Sequence, residues 1–324
     1  MKRWILLASA SISLAAGQIT AGPPKLVAES GAREGGSWDP ATGMLYVVSG
    51  DHVNRLTPSG KLESFRADAP GANGSLVDPQ GRVLVCEAGG RRVTRTEKDG
   101  TLTILADNYH GKKLNSPNDL ALDSKGRIYF TDPRYGSTDT MEIRDAAGKL
   151  VEGVYRIDAP GKVVRILAGQ IGGPVERPNG ILISPDDRYL YLADNYNNRA
   201  GGARKLWRFD LKKDGTVDSA SRKLIFDWKT GRGPDGFKLD VEGRLYVAAG
   251  LNKASQFETV DEFKGGVYIL SPEGKLLEFV PLPAKDETTN CAFGGKDLKT
   301  LFVTSGDQLW SIPVSTAGLI SARP

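Results

Sequence analysis

The chain of 324 residues has the composition of a folded, turn-rich protein, with 40% hydrophobic residues, 25% charged residues, 39 glycines and 18 prolines. This composition excludes a mainly disordered or fibrous protein. The formal charge is only +4, from 43 basic and 39 acidic residues, and the basic residues are dispersed along the chain, so we expect no nucleic-acid partner.

The N-terminal segment has the pattern of a secretory signal peptide. Lys2 and Arg3 precede an apolar run from Trp4 to Ala16 that is too short to span a bilayer. A buried N-terminal helix is the less favoured interpretation, because small residues offer cleavage sites at Ala15–Gly17 or Thr20–Gly22.

We therefore predict a signal peptide over residues 1–21 and a mature domain over residues 22–324. Such a protein is exported, to the periplasm or beyond the cell. No later segment has the apolar length of a membrane helix, so we expect no membrane contact after cleavage. The sequence gives no indication of the oligomeric state.

A short apolar strand recurs six times along the mature chain, and we take it as the inner strand of each repeat. The six strands are LYVV from Leu45, VLVC from Val83, IYFT from Ile128, LYLA from Leu190, LYVA from Leu245 and LFVT from Leu301. Most of them follow a turn of the type Asp-x-x-Gly-Arg, in which Asp and Gly favour chain reversal.

Each apolar strand is followed by a strand rich in β-branched and aromatic residues and, in five units, by a third strand that begins at a turn glycine. The sixth unit lacks this third strand, and KLVA from Lys25 would supply it. Unit spacings of 38 to 62 residues bracket the length of a propeller blade, about 40 to 50 residues. No helical pattern separates the strands. We predict an all-β, six-bladed propeller closed by pairing of its N-terminal and C-terminal strands.

A residue with a side-chain oxygen stands ten or eleven positions before each apolar strand. The six residues are Glu34, Asn73, Asn118, Asn179, Asp235 and Asn290. If the units are related by rotation, these side chains meet at one end of the central channel. The alternative interpretation is that they are turn residues bonded to their own backbones.

Two carboxylates and four amides that converge in a channel favour a bound cation, because buried charged and polar groups are costly without partners. Calcium, with six to eight oxygen ligands, fits best, and another divalent cation is the alternative. Magnesium demands a tighter octahedron, and zinc or copper would require more ligands than two His and two Cys supply.

Six further segments carry a family resemblance. They are REGGSWD from Arg33, NSPNDLALD from Asn115, FTDPRYG from Phe130, RPNGILISPD from Arg177, GPDGFKLDVEGRLYVA from Gly233 and NCAFGGKDLKTLFVTS from Asn290. These motifs resemble the SMP-30/gluconolactonase/LRE-like family of calcium-dependent propeller hydrolases over essentially the whole mature chain. The resemblance implies a catalytic calcium held by Glu34, Asn118, Asn179 and Asp235.

The resemblance also implies an activity, the hydrolysis of a small lactone such as gluconolactone. The metal would polarise the carbonyl, and Asp235 would both bind the metal and act as general base. The first motif reads EGG at Glu34 where the family often has EGP. Relatives that cleave phosphorus–fluorine bonds carry a channel His in the last unit, and its absence here favours a lactonase. The alternatives are a promiscuous lactonase or arylesterase, and a non-enzymatic propeller that binds other molecules.

Other polar residues are candidates for contact with the substrate. These are Asn73, Asn290, Arg134 and Tyr135. The long segments 135–153 and 251–265 are candidate lid or specificity loops, because long loops in compact domains are usually functional.

The remaining chemistry-bearing residues favour structural roles. For Asp132 and Asp194, at strand ends, hydrogen bonding is favoured over catalysis, and His52 and His110 are expected at the surface. Two cysteines cannot make a disulfide framework. Cys86 and Cys291 lie in or beside apolar strands, which favours two buried free thiols over a bridge.

Overall fold

A computed structural model describes residues 18–283 and 286–320. These residues form strands, turns and loops, and none of them lies in a helix long and apolar enough to cross a membrane. Most of the predicted signal peptide, residues 1–17, lies outside the described residues.

Six four-stranded antiparallel sheets form the blades of a propeller. Blade 1 contains β2 (Glu34–Asp39), β3 (Met44–Ser49), β4 (His52–Leu56) and β5 (Leu62–Arg66). Blade 2 contains β6 (Ala72–Val77), β7 (Val83–Glu87), β8 (Arg92–Thr96) and β9 (Leu102–Ala106). Blade 3 contains β12 (Leu120–Leu122), β13 (Ile128–Asp132), β14 (Glu152–Ala159) and β15 (Lys162–Gly169). Blade 4 contains β16 (Pro178–Ile183), β17 (Tyr189–Asn195), β18 (Arg204–Leu211) and β19 (Val217–Asp227). Blade 5 contains β20 (Pro234–Leu239), β21 (Leu245–Ala249), β22 (Gly266–Leu270) and β23 (Leu276–Pro281). Blade 6 contains β24 (Thr288–Gly294), β25 (Thr300–Ser305), β26 (Gln308–Pro313) and the N-terminal β1 (Lys25–Ala28). A short hairpin of β10 (Asn108–Tyr109) and β11 (Lys112–Lys113) lies between blades 2 and 3 in the sequence.

The ring closes in blade 6, where strands from the two ends of the chain pair. The KLVA strand β1 lies antiparallel to β26, with Lys25 opposite Ser311 and Leu26 opposite Trp310. This arrangement confirms the predicted six-bladed propeller and the predicted origin of its missing outer strand. Closure buries the two apolar blade faces that a linear stack of blades would leave exposed at its ends.

The apolar repeat is the second strand of each blade, so its assignment as the inner strand is wrong. The innermost strands β2, β6, β12, β16, β20 and β24 instead carry the polar residues or directly follow them. Five of them were missed because they contain glycine and polar residues where blades converge, and β12 (Leu120–Leu122) is only three residues long. A Cβ added at Gly35, Gly180 or Gly236 would lie only 2.1 to 2.3 Å from atoms of the neighbouring blade.

The hydrophobic core lies between adjacent blades, with one buried cluster at each of the six blade interfaces. The even spacing of these clusters explains why every blade has two apolar faces. Cys86 and Cys291 lie in this core as buried free thiols, which confirms that prediction.

The predicted Asp-x-x-Gly-Arg turns share a hydrogen-bonding scheme that explains their recurrence. In blade 3, the carboxylate of Asp123 accepts hydrogen bonds from the backbone N of Lys125 and Arg127 and from Arg127 Nε, at 2.6 to 3.0 Å. Asp78 and Asp240 repeat the scheme in blades 2 and 5. Each of these carboxylates therefore has a full set of donors and an ion-pair partner.

Candidate functional site

The six predicted polar residues occupy equivalent positions at the start of the innermost strands. They are Glu34 in β2, Asn73 in β6, Asn118 just before β12, Asn179 in β16, Asp235 in β20 and Asn290 in β24. Asn73 is partly exposed, and each of the other five exposes no more than 9% of its surface. The repeat thus places all six at one end of the channel.

Direct contacts between blades hold the site together. The amide of Asn290 donates a hydrogen bond of 3.2 Å to Glu34 Oε2, which also accepts the backbone N–H of Gly35 at 3.1 Å. Gly236 packs against the Asn290 side chain, and Gly180 packs against the backbone of Asp235. The tight packing of these innermost strands brings the blade 1, 5 and 6 residues close together.

The two carboxylates are buried in surroundings that disfavour negative charge. Burial raises the pKa of Glu34 to about 8, against the opposing hydrogen bond from Asn290. Burial, and then the charge of Glu34, raises the pKa of Asp235 well above its usual range. Because both carboxylates lie in the same site, a positive ion there would relieve their desolvation and their mutual repulsion.

Two amide oxygens in this site have no hydrogen-bond donor among the described residues. They are Asn118 Oδ1 and Asn179 Oδ1, both buried. An unsatisfied buried acceptor costs free energy, and two such acceptors beside two carboxylates require an explanation. Amide and carboxylate oxygens are the ligands that hard cations prefer. The residues present therefore fit a divalent cation of the calcium type.

Tyr135, a predicted substrate-binding residue, lies against the site. Its hydroxyl accepts a hydrogen bond of 2.8 Å from Asn179 Nδ2 and donates one of 3.0 Å to the backbone oxygen of Asn195. Burial, followed by the nearby charge of Asp235, raises the pKa of Tyr135, so its hydroxyl keeps its proton. The residue still exposes 38% of its surface, which leaves part of the ring accessible.

Arg134 reaches the rim of the site beside Tyr135. Its guanidinium donates hydrogen bonds to Ser116 Oγ at 3.0 Å and to Ser137 O at 2.8 Å, and its backbone N–H donates to Glu152. Since Ser116 stands two residues before Asn118, these bonds place the Arg134 side chain near the loop that leads to Asn118.

Three charged residues at the site were missed by the sequence analysis: Asp119, Arg232 and Glu287. Arg232 binds Glu287 through a short ion pair and Glu258 at 2.9 Å, and its charge opposes the rise in the pKa of Asp235. Asp119 is buried directly after Asn118 and accepts the backbone N–H of Leu120 at 2.9 Å. Asp119 lies in the NSPNDLALD motif directly after Asn118, and Arg232 stands three residues before Asp235. This closeness to proposed ligands was the signal available in the sequence.

The two long segments each contribute to the surroundings of the site. Segment 135–153 supplies Tyr135 and Glu152, and segment 251–265 supplies Glu258, which is buried and holds Arg232. These contacts place residues of both segments beside the charged and aromatic groups of the site.

The strand-end aspartates have the structural role that was favoured for them. Asp132 accepts the backbone N–H groups of Asn115 and Ser116 at 2.8 Å. Asp194 accepts the backbone N–H groups of Glu176 and Arg177, in the loop before β16. It also accepts the indole N–H of Trp207. Both carboxylates therefore fix the loops that lead to Asn118 and Asn179. The imidazoles of blade 1 and of the β10–β11 hairpin, His52 and His110, are exposed.

This propeller belongs to the class that carries its polar site on the central axis, where the innermost strands bring buried carboxylates and amides together. Comparison with known sequences identifies the family. The model of the SMP-30/Gluconolactonase/LRE-like region matches residues 32–307, and the chain belongs to this family.

Individual relatives agree with the family assignment. A gluconolactonase from Zymomonas mobilis is 32% identical over 81% of this chain and 69% of its own length. Regucalcin from Xenopus laevis is 30% identical over 83% of this chain and 81% of its own length. Among solved structures, a gluconolactonase from Xanthomonas campestris superposes with a TM-score of 0.71 at 28% identity, covering 90% of this chain and 89% of that one.

Proposed function

We propose that this protein is a hydrolase that opens a sugar lactone such as gluconolactone with the help of a divalent cation, Ca²⁺ in the first instance. Its relatives include the Zymomonas gluconolactonase and a 6-deoxy-6-sulfogluconolactonase from Pseudomonas putida, which is 31% identical over 62% of this chain. These names support a lactone as the substrate class.

The observation that carries the proposal is the pair of buried carboxylates that share the axis with two buried amide oxygens, Asn118 Oδ1 and Asn179 Oδ1, which have no donor among the described residues. Glu34, Asn118, Asn179 and Asp235 would hold the cation, with two negative charges against its two positive charges. The oxygen-only donor set favours Ca²⁺ over zinc or copper. A propeller that only binds other molecules at its surface has no need of buried carboxylates here, which favours the enzyme over that alternative.

The bound cation would supply electrophilic polarisation of the lactone carbonyl. Asp235 would accept a proton from the attacking water, whose oxygen forms a bond to the carbonyl carbon. The bond between this carbon and the ring oxygen then breaks, and Asp235 returns the proton to the departing ring oxygen. The product is the open-chain hydroxy acid, and Asp235 ends as it began.

The rim residues would bind the remainder of the sugar. The exposed part of the Tyr135 ring offers an apolar face, while Arg134, Asn73 and Asn290 offer hydrogen-bonding groups near the entrance. Segments 135–153 and 251–265 would select among lactones through the shape of this entrance. The same elements would determine whether simple aryl esters are also accepted.

Hydrolysis of gluconolactone by chelator-treated protein tests the proposal. We expect turnover to disappear when the metal is stripped and to return when Ca²⁺ is added. A fully active metal-free protein would contradict the metal-dependent mechanism, and calcium binding without lactone hydrolysis would contradict the substrate class.

We also propose that the protein is exported, on the basis of its signal-peptide pattern. The contacts of Ile19 and Thr20 support cleavage ahead of Gln18. Ile19 is buried in the core between blades 5 and 6, Thr20 pairs with Val314, and the backbone N–H of Ile19 donates to Glu278 at 3.1 Å. Cleavage near Gly17 would keep these contacts in the mature protein, whereas a boundary after residue 21 would remove them.

A further inference from the structure

We infer that Tyr135 is a positioning residue that fixes the orientation of the Asn179 carboxamide, so that Asn179 Oδ1 faces the cation site. This inference rests on the proposed cation site and assigns Tyr135 a role beyond contact with the substrate.

The direction of the hydrogen bonds carries the argument. A carboxamide nitrogen can only donate, so the Asn179 Nδ2 contact of 2.8 Å makes the Tyr135 hydroxyl an acceptor. A backbone carbonyl can only accept, so the contact of 3.0 Å to Asn195 O uses the single proton of that hydroxyl. The chain therefore runs in one direction, from the Asn179 amide through Tyr135 to Asn195.

Reversal of the Asn179 amide would break this chain. Its oxygen would then face a hydroxyl whose proton is already given to Asn195 O, so one hydrogen bond would be lost. The amide nitrogen would in turn face the cation site, where it cannot act as a ligand. With Tyr135 in place, Asn179 Oδ1 is the atom left buried without a donor, as expected for a metal ligand.

The ring of Tyr135 is itself held in place by the neighbouring blade. The guanidinium of Arg177 lies 4.9 Å from the ring centroid, and Arg177 stands two residues before Asn179. Glu152 accepts two hydrogen bonds of 2.8 Å from Arg177 and a third, of 3.0 Å, from the backbone N–H of Arg134. The same carboxylate thus ties the Tyr135 loop to the strand that carries Asn179.

Tyr196 provides a matched control for Tyr135. Its ring packs against the same guanidinium, with the Arg177 carbon 3.9 Å from the ring centroid. Its hydroxyl makes no hydrogen bond to the described residues. Removal of this hydroxyl changes a ring stacked on Arg177 without touching the Asn179 amide.

The experiment measures Ca²⁺ affinity directly, by calorimetric titration of chelator-stripped protein. We expect Tyr135→Phe to weaken Ca²⁺ binding by about tenfold to a hundredfold, as loss of a partner behind a metal ligand usually does. Tyr196→Phe should bind Ca²⁺ like the wild type. The melting temperatures of both metal-free variants, measured alongside, should show that each is folded, with Tyr135→Phe a few degrees below the wild type because it loses two hydrogen bonds.

A second background separates orientation from general structure. In Asn179→Asp the ligand has two equivalent oxygens and no amide to orient, so addition of Tyr135→Phe should cost much less affinity than in the wild type. Equal Ca²⁺ affinity of Tyr135→Phe and wild type, or an undiminished loss in the Asn179→Asp background, would overturn the inference. Absence of Ca²⁺ binding by the wild type would instead overturn the proposed site, and the inference with it.

Discussion

Carboxylates occupy two regions of this propeller in very different surroundings. In the blade turns, Asp123 accepts bonds from two backbone N–H groups, from the guanidinium of Arg127 and from the hydroxyl of Tyr129. On the axis, Glu34 accepts only one backbone N–H and one amide, and it has no ion-pair partner among the described residues.

The difference separates carboxylates that stabilise the fold from those kept for chemistry. A turn aspartate with all its donors lowers the free energy of the folded state by itself. An axial carboxylate without a cation raises it, because burial and a second carboxylate oppose its charge. Such a cost is typical of functional sites, and the following substitutions test whether the two regions behave oppositely.

The largest expected effect is on turnover in Asp235→Asn. This variant keeps a side-chain oxygen for the metal but cannot accept a proton, so kcat for gluconolactone should fall by about 10²- to 10⁴-fold. Steady-state kinetics at saturating Ca²⁺ provides the measurement. Retention of wild-type kcat would reject Asp235 as the general base.

The second effect is expected at Glu34, where a substitution should make the metal-free protein more stable and not less. Glu34→Gln removes a buried negative charge, so the melting temperature of the metal-free protein should rise by a few degrees at pH 8. Saturating Ca²⁺ at 100 times Kd should stabilise the wild type by about 2.7 kcal/mol and this variant by much less. Calorimetric unfolding with and without Ca²⁺ measures both. A less stable metal-free variant would show that Glu34 serves the fold.

The opposite result is expected in the turn of blade 3. Asp123→Ala leaves two backbone N–H groups and the guanidinium of Arg127 without their carboxylate acceptor, which should lower the free energy of unfolding by about 1–3 kcal/mol. Ca²⁺ affinity should not change. Urea unfolding together with a Ca²⁺ titration checks both statements. A loss of Ca²⁺ binding would contradict the claim that the turn carboxylates serve only the fold.

The smallest effect concerns the N-terminal residues of the mature chain. Thr20→Ala removes the hydroxyl bond to Glu278 and should cost about 0.5–1.5 kcal/mol of stability without a change in turnover. N-terminal sequencing of the exported protein should find Gln18 or a residue ahead of it. A mature chain that starts at Gly22 would show that these contacts are dispensable.

The blade architecture and ring closure were predictable because strand repeats and turn signals are local. The positions of Glu34, Asn118, Asn179 and Asp235 followed from the same repeat. The innermost strands were not recognised, since close packing on the axis requires glycine there rather than alternating apolar residues. The partners of Tyr135 were beyond prediction, because they belong to a different blade and depend on the path of one loop.

The proposed lactonase activity depends on a cation held by the axial oxygens. The most direct measurement is a parallel titration of stripped protein with Ca²⁺, in which bound metal is followed by calorimetry and gluconolactone hydrolysis by its rate. We predict that occupancy and turnover rise together in the wild type and that both shift together to higher Ca²⁺ concentration in Glu34→Gln. Turnover that is complete before any Ca²⁺ binds, or that persists in a variant unable to bind it, would contradict the metal-dependent mechanism.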